Sequence, residues 1–483
     1  MTIGRLRTEQ EVEPLTFFNL VRVRKEFDQS FWSLGSIVTH AIRSFDDTVL
    51  GTQLNATGTV AAIDGWTFFD KDREWVVNGW AGLTNITGSK EAVTSIQHNS
   101  RHYFQRPDAT HLGVDTSATS LLGTGARLWI NKQKGNVVFN AGLGYLSPNF
   151  DMNDLGLSFK ADHINSHVLA GYKWTEPSGI MQYADIKAAA ARSYDFEGNI
   201  THEGYDLTGY FQERGFHGAW LSINYFPPQT ANTLTRGGPL MEIPRAWYSE
   251  LGYESNSRNA VGYGFSTYAR LGAYDLVGYG INPYVEWRMT NNIFLRFAPS
   301  YNRSRLGAQY VATIVDPAMT QTFGRRYIFA ELDQQTVSAQ IRFNWTFTPH
   351  LSLQLYMQPF IAAGDYYNLK EFSRPKSFEF NYYGRNGSEL TLQDGIYTVD
   401  PDGSGSQAPF ALYDPDFHFT SLKGNLVLRW EYLPGSTLYF VWTHNRPSNE
   451  PFSDLNPGRD LGELFSGDAD DIFLLKASYW FSL

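Results

Sequence analysis

The chain has 483 residues, of which 42% are hydrophobic and 16% aromatic, with a formal charge of −10 and no cysteine. Its mean hydropathy is −0.33, and no run of about 18 apolar residues occurs, which excludes a bundle of membrane-spanning helices. The aromatic density excludes disorder, the missing cysteines exclude disulfide scaffolds and thiolate metal sites, and the acidic balance excludes a nucleic-acid partner. A large soluble β protein and an outer-membrane β-barrel remain.

Residues 1–14 are polar and charged and lack the apolar centre of a signal peptide. Either a leader has been removed or the chain is the tail of a longer precursor. From there a hairpin grammar repeats. Short turns are expected at 27–30, 70–73, 131–135, 176–179, 214–215, 256–259, 290–292, 348–349 and 434–435. Longer polar connections are expected at 43–56, 148–160, 228–244, 304–334, 365–418 and 447–470. Residues 90–117 read either as a further strand or as a large external loop. Short turns on one side and long loops on the other are the asymmetry of an outer-membrane barrel, here with roughly 18–20 spanning strands. An odd count with both chain ends on the short-turn side predicts strands ahead of residue 1.

The histidines are scattered. His163 and His167 share a strand face about 13 Å apart, too far to share a metal ion. His98 and His102 fail the same test if that segment is extended. No H-E-x-x-H or G-x-S-x-G motif occurs. Arg303, Arg305, Arg325 and Arg326 form a basic cluster in the expected loop 304–334. They suit an anionic sugar or a lipid phosphate, with loop-to-loop ion pairing as the equal alternative.

The clearest strand is 337–347, where Val337, Ala339, Ile341, Phe343, Trp345 and Phe347 alternate with Ser338, Gln340, Arg342, Asn344 and Thr346. Residues 351–358 repeat the pattern, as do 425–432 and 438–442. At roughly 10–14 residues these strands exceed the usual soluble length and match a tilted bilayer crossing. Gln340, Arg342, Asn344, Gln354, Arg429 and Glu431 then line a wet interior, and clustered Tyr, Trp and Phe at strand ends form interface girdles.

In the expected extracellular loop 365–418, Asp400 and Asp402 precede Gly403 with the spacing that opens a calcium loop. The third acidic position and the distal Glu are missing, and an ordinary Asx–Gly turn is the stronger reading. No other cofactor is indicated. Asp454, Asp460, Glu463, Asp468, Asp470 and Asp471 make an acidic stretch, read as a solvated loop or as a divalent-cation bridge to lipopolysaccharide. Phe473, Leu475, Ala477, Tyr479, Phe481 and Leu483 alternate to the last residue, like the terminal strand read by the barrel-assembly machinery.

Several segments together resemble one family: 106–123 (RPDATHLGVDTSATSLLG), 146–156 (LSPNFDMNDLG), 235–241 (TRGGPLM), 299–311, 324–333 (GRRYIFAELD), 347–366, 370–375 (KEFSRP), 397–405 (YTVDPDGSG) and 424–446. It is the C-terminal domain of unknown function of large Gram-negative proteins, of Bacteroidota and Gemmatimonadota type, that carry a family-9-like carbohydrate-binding domain in front. The resemblance covers essentially the whole chain. It implies an all-β, antiparallel transmembrane barrel over 1–483, located in the bacterial outer membrane and lacking its upstream strands and sugar-binding module. The function expected is a non-enzymatic pore, anchor or scaffold linked to carbohydrate binding or uptake. The alternatives are a membrane-associated hydrolase acting on glycan or lipid and a structural subunit of a larger envelope complex. Expected partners are outer-membrane lipid and lipopolysaccharide, the barrel-assembly machinery, and a polysaccharide or envelope protein.

Overall fold

A computed structural model describes residues 11–450 and 452–481, so the N-terminal ten residues, Pro451 and the last two lie outside it. Nineteen strands follow one another in an antiparallel meander: β1 (Leu15–Phe27), β2 (Trp32–Ser44), β3 (Thr57–Phe68), β4 (Trp75–Thr87), β5 (Ser120–Lys132), β6 (Val137–Leu146), β7 (His163–Trp174), β8 (Met181–Tyr194), β9 (Ile200–Glu213), β10 (Gly218–Phe226), β11 (Ala246–Glu254), β12 (Val261–Gly272), β13 (Val277–Thr290), β14 (Ile293–Val315), β15 (Arg325–Thr348), β16 (Leu351–Phe372), β17 (Phe417–Leu433), β18 (Ser436–Glu450) and β19 (Asp470–Ser478). Each pairs with its sequence neighbours. A three-residue strand, Phe380–Tyr382, is clipped to β16 and completes a 20-stranded sheet. Three helices lie in the connections: α1 (Thr48–Gln53), α2 (Lys90–His98) and α3 (Pro457–Ser466). No helix among the described residues is long and apolar enough to cross a membrane.

All nine expected short turns are hairpin connections on one side of the sheet. The opposite connections are more ordered than their polarity suggested. Residues 90–117 are a loop carrying α2. The expected loop 304–334 is mostly strand, because β14 runs to Val315 and β15 starts at Arg325. The expected loop 365–418 begins inside β16. It then builds a three-stranded sheet from Glu389–Gln393, Ile396–Asp400 and Phe410–Tyr413. Burial explains both corrections. On β15, Tyr327 and Phe329 pack with Met241 and Phe372, while Ile328 and Ala330 on the other face pack with Leu369 of β16, with Tyr383, and with Val399 and Leu412 of the small sheet. A strand covered on both faces reads as a continuous apolar run, and its alternation disappears. The segment 447–470 likewise holds the end of β18 and α3, and the last strand stops at Ser478 rather than at the terminus.

Cross-strand partners share a sheet face, so the register traces each wall around the molecule. On β12 and β13 the outward residues include Tyr263, Leu271, Ile281, Val285 and Trp287, all substantially exposed. Asn282, Tyr284 and Glu286 face the other way. An exposed apolar face of this kind is compatible only with lipid. Aromatic pairs mark the membrane boundaries, such as Tyr279–Tyr301 (6.3 Å between ring centroids), Trp345–Phe347 (4.2 Å) and Tyr172–Trp174 (4.9 Å). On the inner face, aromatic rings lie flat over glycines of adjacent strands. Trp220 covers Gly252, Tyr284 covers Gly264 and Tyr268 covers Gly280, each leaving no room for a Cβ.

The sheet has two free edges. Among the described residues β1 pairs only with β2, and β19 only with β18. Interior strands expose one face, whereas these expose both: Leu20 and Val21 are 62% and 61% exposed, Leu474 and Leu475 54% and 68%. Both edge strands run toward the short-turn side and are therefore parallel to each other.

Candidate functional site

Two features stand over the lumen: a cap of long loops and, beneath it, an aromatic cleft. The cap is assembled from loops distant in sequence. Leu240 donates its backbone N–H to Asp108 (2.7 Å), Lys376 donates from its backbone to the Leu240 carbonyl (2.7 Å), and the Lys376 ammonium reaches Asn199 (2.8 Å). Gly238 packs directly on the Tyr327 ring, an approach only a residue without Cβ permits. Loops that follow β4, β8, β10 and β16 thus meet, which requires the sheet to curl around a common axis.

The cap holds buried ion pairs. His102, fully buried, contacts the Pro148 carbonyl through Nδ1 (2.8 Å) and Asp151 through Nε2 (3.2 Å), and Arg101 adds a pair to the same carboxylate (3.1 Å). Burial alone would raise the Asp151 carboxyl, but the bonds from His102 and Asn153 and the charge of Arg101 outweigh it. The group is held well below the usual carboxylate range. His111 sits between Asp162 (2.9 Å) and Glu197 (3.1 Å). Burial works against its charge, yet the two carboxylates prevail and raise it above its ordinary value. For Glu197, burial is overcome by Thr110 and His111, which bring it down to about 2. Arg106 lies fully buried between Asp108 (3.4 Å) and Asp195 (3.6 Å). His98 ends α2 and His102 folds into the cap, so neither lies on the strand that the spacing test assumed. His163 and His167 do share the inner face of β7.

Beneath the cap, the inner wall of β1–β5 opens as a cleft of about 580 Å³. Trp66, Trp80 and Trp129 come from β3, β4 and β5, and Phe150, Met152 and Leu155 descend from the loop after β6. The polar groups present are few. Arg22 and Asp64 form a two-bond pair, its longer arm 2.7 Å, and Asn78 lies on the neighbouring strand. Such a site, mostly aromatic with a few convergent polar groups, is the usual form of a small-molecule pocket. Sequence reading did not find it, because the tryptophans are 14 and 49 residues apart in the chain and only the register of β3–β5 brings them together.

The residues singled out from sequence are placed as follows. Arg303 and Arg305 both bind Asp333 (2.7 and 2.8 Å), on the outward face just beyond the Tyr279–Tyr301 pair. Arg326 is buried and bonded to Asp316 (2.7 Å), Glu371 and Gln407, where it pins the small sheet to β15. Arg325 is exposed at the start of β15. The four do not converge on one point. Asp400 accepts the backbone N–H groups of Asp402 (3.3 Å) and Gly403 (2.9 Å), and Asp402 accepts that of Gln407 (3.1 Å). Gly403 has φ +65°, so the segment has the geometry of an Asx–Gly turn.

An all-β wall of membrane-length antiparallel strands, lipid-facing outside and capped by long loops, defines an outer-membrane β-barrel protein. Residues 2–482 match the family described as Domain of unknown function (DUF5916), and the chain belongs to that family. No curated protein matches. Among solved structures, the siderophore receptor PirA from Acinetobacter baumannii is similar at 8% identity and a TM-score of 0.40, over 97% of this chain and 71% of that one. A mutant ferric enterobactin receptor (PfeA) from Pseudomonas aeruginosa is similar at 8% identity and a TM-score of 0.37, over 98% and 74%. Likeness at that level does not extend to ligand or mechanism.

Proposed function

We propose that this barrel binds a sugar or short oligosaccharide in its lumen at the cell surface and admits or retains it without chemical change. The aromatic cleft carries the reading. Flat indole faces stack on the apolar faces of sugar rings, while Arg22, Asp64 and Asn78 offer donors and acceptors to hydroxyls. The basic outer patch at Arg303 and Arg305, with lipopolysaccharide as its neighbour, belongs to anchoring rather than uptake. A hydrolase acting on lipid esters would require a Ser–His pair, and one acting on glycan a pair of carboxylates. Among the described residues, the hydroxyls hydrogen-bonded to a histidine are those of Thr59, 2.8 Å from His40, and Tyr253, 2.6 Å from His217, and neither is a serine.

The test is a titration of purified barrel in detergent micelles with a panel of oligosaccharides, read by tryptophan fluorescence and calorimetry. Binding by the native chain and its loss in Trp80→Ala would support the reading. A panel with no binder would sink it.

The free edges favour the further proposal that the chain forms part of a larger wall. Unpaired backbone N–H and C=O groups in hydrocarbon cost several kcal/mol each. Because β1 and β19 are parallel, antiparallel closure takes an odd number of additional strands. Those strands meet apolar residues on both faces: Phe18 and Leu20 inward, Val21 and Val23 outward, and on β19 Leu474 inward, Phe473 and Leu475 outward. Cross-linking from Cys substitutions at Val21 and Leu475, in outer membranes of cells producing the protein, should trap the neighbouring strand. A direct cross-link between the two would refute an intervening strand.

A further inference from the structure

Helix α3 packs through Leu464 against Val337, Met357, Ile361 and Leu422, residues on the lipid-side face of β15–β17. Its opposite side leaves Leu461 and Phe465 exposed, one turn apart. The helix therefore lies along the outside of the barrel, with apolar side chains turned away from the wall, as in an interfacial helix. Where it meets β17, His418 faces Asp460 and Glu463, and one ligand-type atom from each lies within 4.8 Å of the others.

The chemistry of this contact differs from an ordinary acidic loop. The His418 side chain is fully buried, and neither ring nitrogen has a hydrogen-bond partner among the described residues. Its Nε2 stands 3.2 Å from Asp460 Oδ1 without hydrogen-bonding geometry. One Glu463 carboxylate oxygen is also buried without a partner among the described residues. Burying an imidazole, a buried carboxylate and a second carboxylate side by side is costly unless something satisfies them together. Asp460 is already fixed in direction. Its Oδ2 accepts the Asn456 N–H (2.8 Å) and its Oδ1 accepts Arg459 Nε (2.8 Å), which leaves one further lone pair on that oxygen. Phe452 closes over the imidazole at 4.5 Å and excludes water.

We infer that His418, Asp460 and Glu463 bind one divalent transition-metal cation of the zinc class, which locks α3 to the outer wall of the barrel. A nitrogen donor with two carboxylates suits zinc, and the two acids, at i and i+3 on one helix, are presented side by side. Calcium and magnesium, which take oxygen ligands, are disfavoured by the imidazole. The cation would tie together an interfacial helix and a strand 42 residues away in sequence, independently of any lumen ligand.

The test uses the full chain in detergent micelles, stripped with chelator and titrated with Zn²⁺ in parallel with Ca²⁺. Metal content and calorimetry are read for the native chain, His418→Ala, Glu463→Gln and the loop control Asp468→Asn. The expected result is about one Zn²⁺ per chain, no comparable Ca²⁺ affinity, and binding at least about tenfold weaker in both site variants, with the control unchanged. Trypsin cleavage after Arg459 should slow on Zn²⁺ addition in the native chain and not in Glu463→Gln, a conservative change at a partly exposed position. Absence of Zn²⁺ binding by the native chain, or native affinity in Glu463→Gln and His418→Ala alike, would overturn the inference.

Discussion

The two halves of this barrel are built differently from lumen to rim. In the half formed by β13–β17, the inner face is polar, with Asn282, Glu286, Arg296, Gln340, Arg342, Asn344, Gln354, Asn425 and Arg429, while the rim above is an apolar sandwich around β15. In the half formed by β1–β5 the order is reversed. The inner face carries Ile37, Val60, Ala62, Trp66, Trp80 and Trp129, and the rim is a cap of buried ion pairs. One half turns a polar wall to the lumen and closes its top by apolar packing around the Arg326 ion pairs. The other retains an apolar surface inside and closes its top with charge. A solute that is both hydroxylated and ring-shaped would meet a wet wall and a stacking wall at once.

The largest way to break the contrast is Arg326→Ala, which strands buried Glu371 in the packed rim. The expected loss is about 3–5 kcal/mol of local stability, read as faster hydrogen exchange and proteolysis of the small sheet at Glu389–Tyr413. A loss under about 1 kcal/mol would mean the sandwich holds by apolar packing alone.

Next comes the cleft. Trp80→Ala removes a wall of the pocket and should weaken oligosaccharide binding by about 1.5–3 kcal/mol, ten- to more than a hundredfold. Tyr284→Ala, on the polar wall, should leave that affinity within about threefold, a difference below 1 kcal/mol.

The buried carboxylates and histidine of the β1–β5 rim should respond to pH. Asp151 and Glu197 titrate below their ordinary values of 3.8 and 4.5. Their stabilisation is complete above those values and fades as pH falls through the depressed ones. His111 titrates above its ordinary 6.5, so its stabilisation is complete below 6.5 and fades as pH climbs through the raised value. Protection of the loop after β4, followed by hydrogen exchange, should therefore peak between about pH 4.5 and 6.5. A flat profile would remove these pairs from any role in holding the cap. The smallest effect expected is from Arg342→Gln, which takes one positive charge off the wet wall. It should shift conductance toward cations by less than about twofold in planar bilayers.

The polar half was the legible half. The run from Val337 to Phe347 alternates without error because one face is in lipid and the other in water, and the inner positions of Gln340, Arg342, Asn344, Gln354, Arg429 and Glu431 follow from it. In β1–β5 both faces are largely apolar or small, so period-two alternation carries little contrast. Tertiary pairing hid the rest. Asp333, which neutralises Arg303 and Arg305, is about thirty residues further on, and the cover that turns 304–334 into strand comes from Met241 and Val399. Asp400 and Asp402 were legible as a turn because that geometry is local.

The glycines under the inner rings shape the width of the lumen. With Gly252 beneath Trp220, Gly264 beneath Tyr284 and Gly280 beneath Tyr268, the rings lie as inlay on the wall instead of standing into the lumen. A methyl group at Gly252 would meet the Trp220 ring and tip it toward the axis, whereas at Gly264 and Gly280 it would first meet the Tyr253 carbonyl and the Asn302 side chain. Gly252 is thus the calibration point at which the lumen could be narrowed while the lining keeps its chemistry.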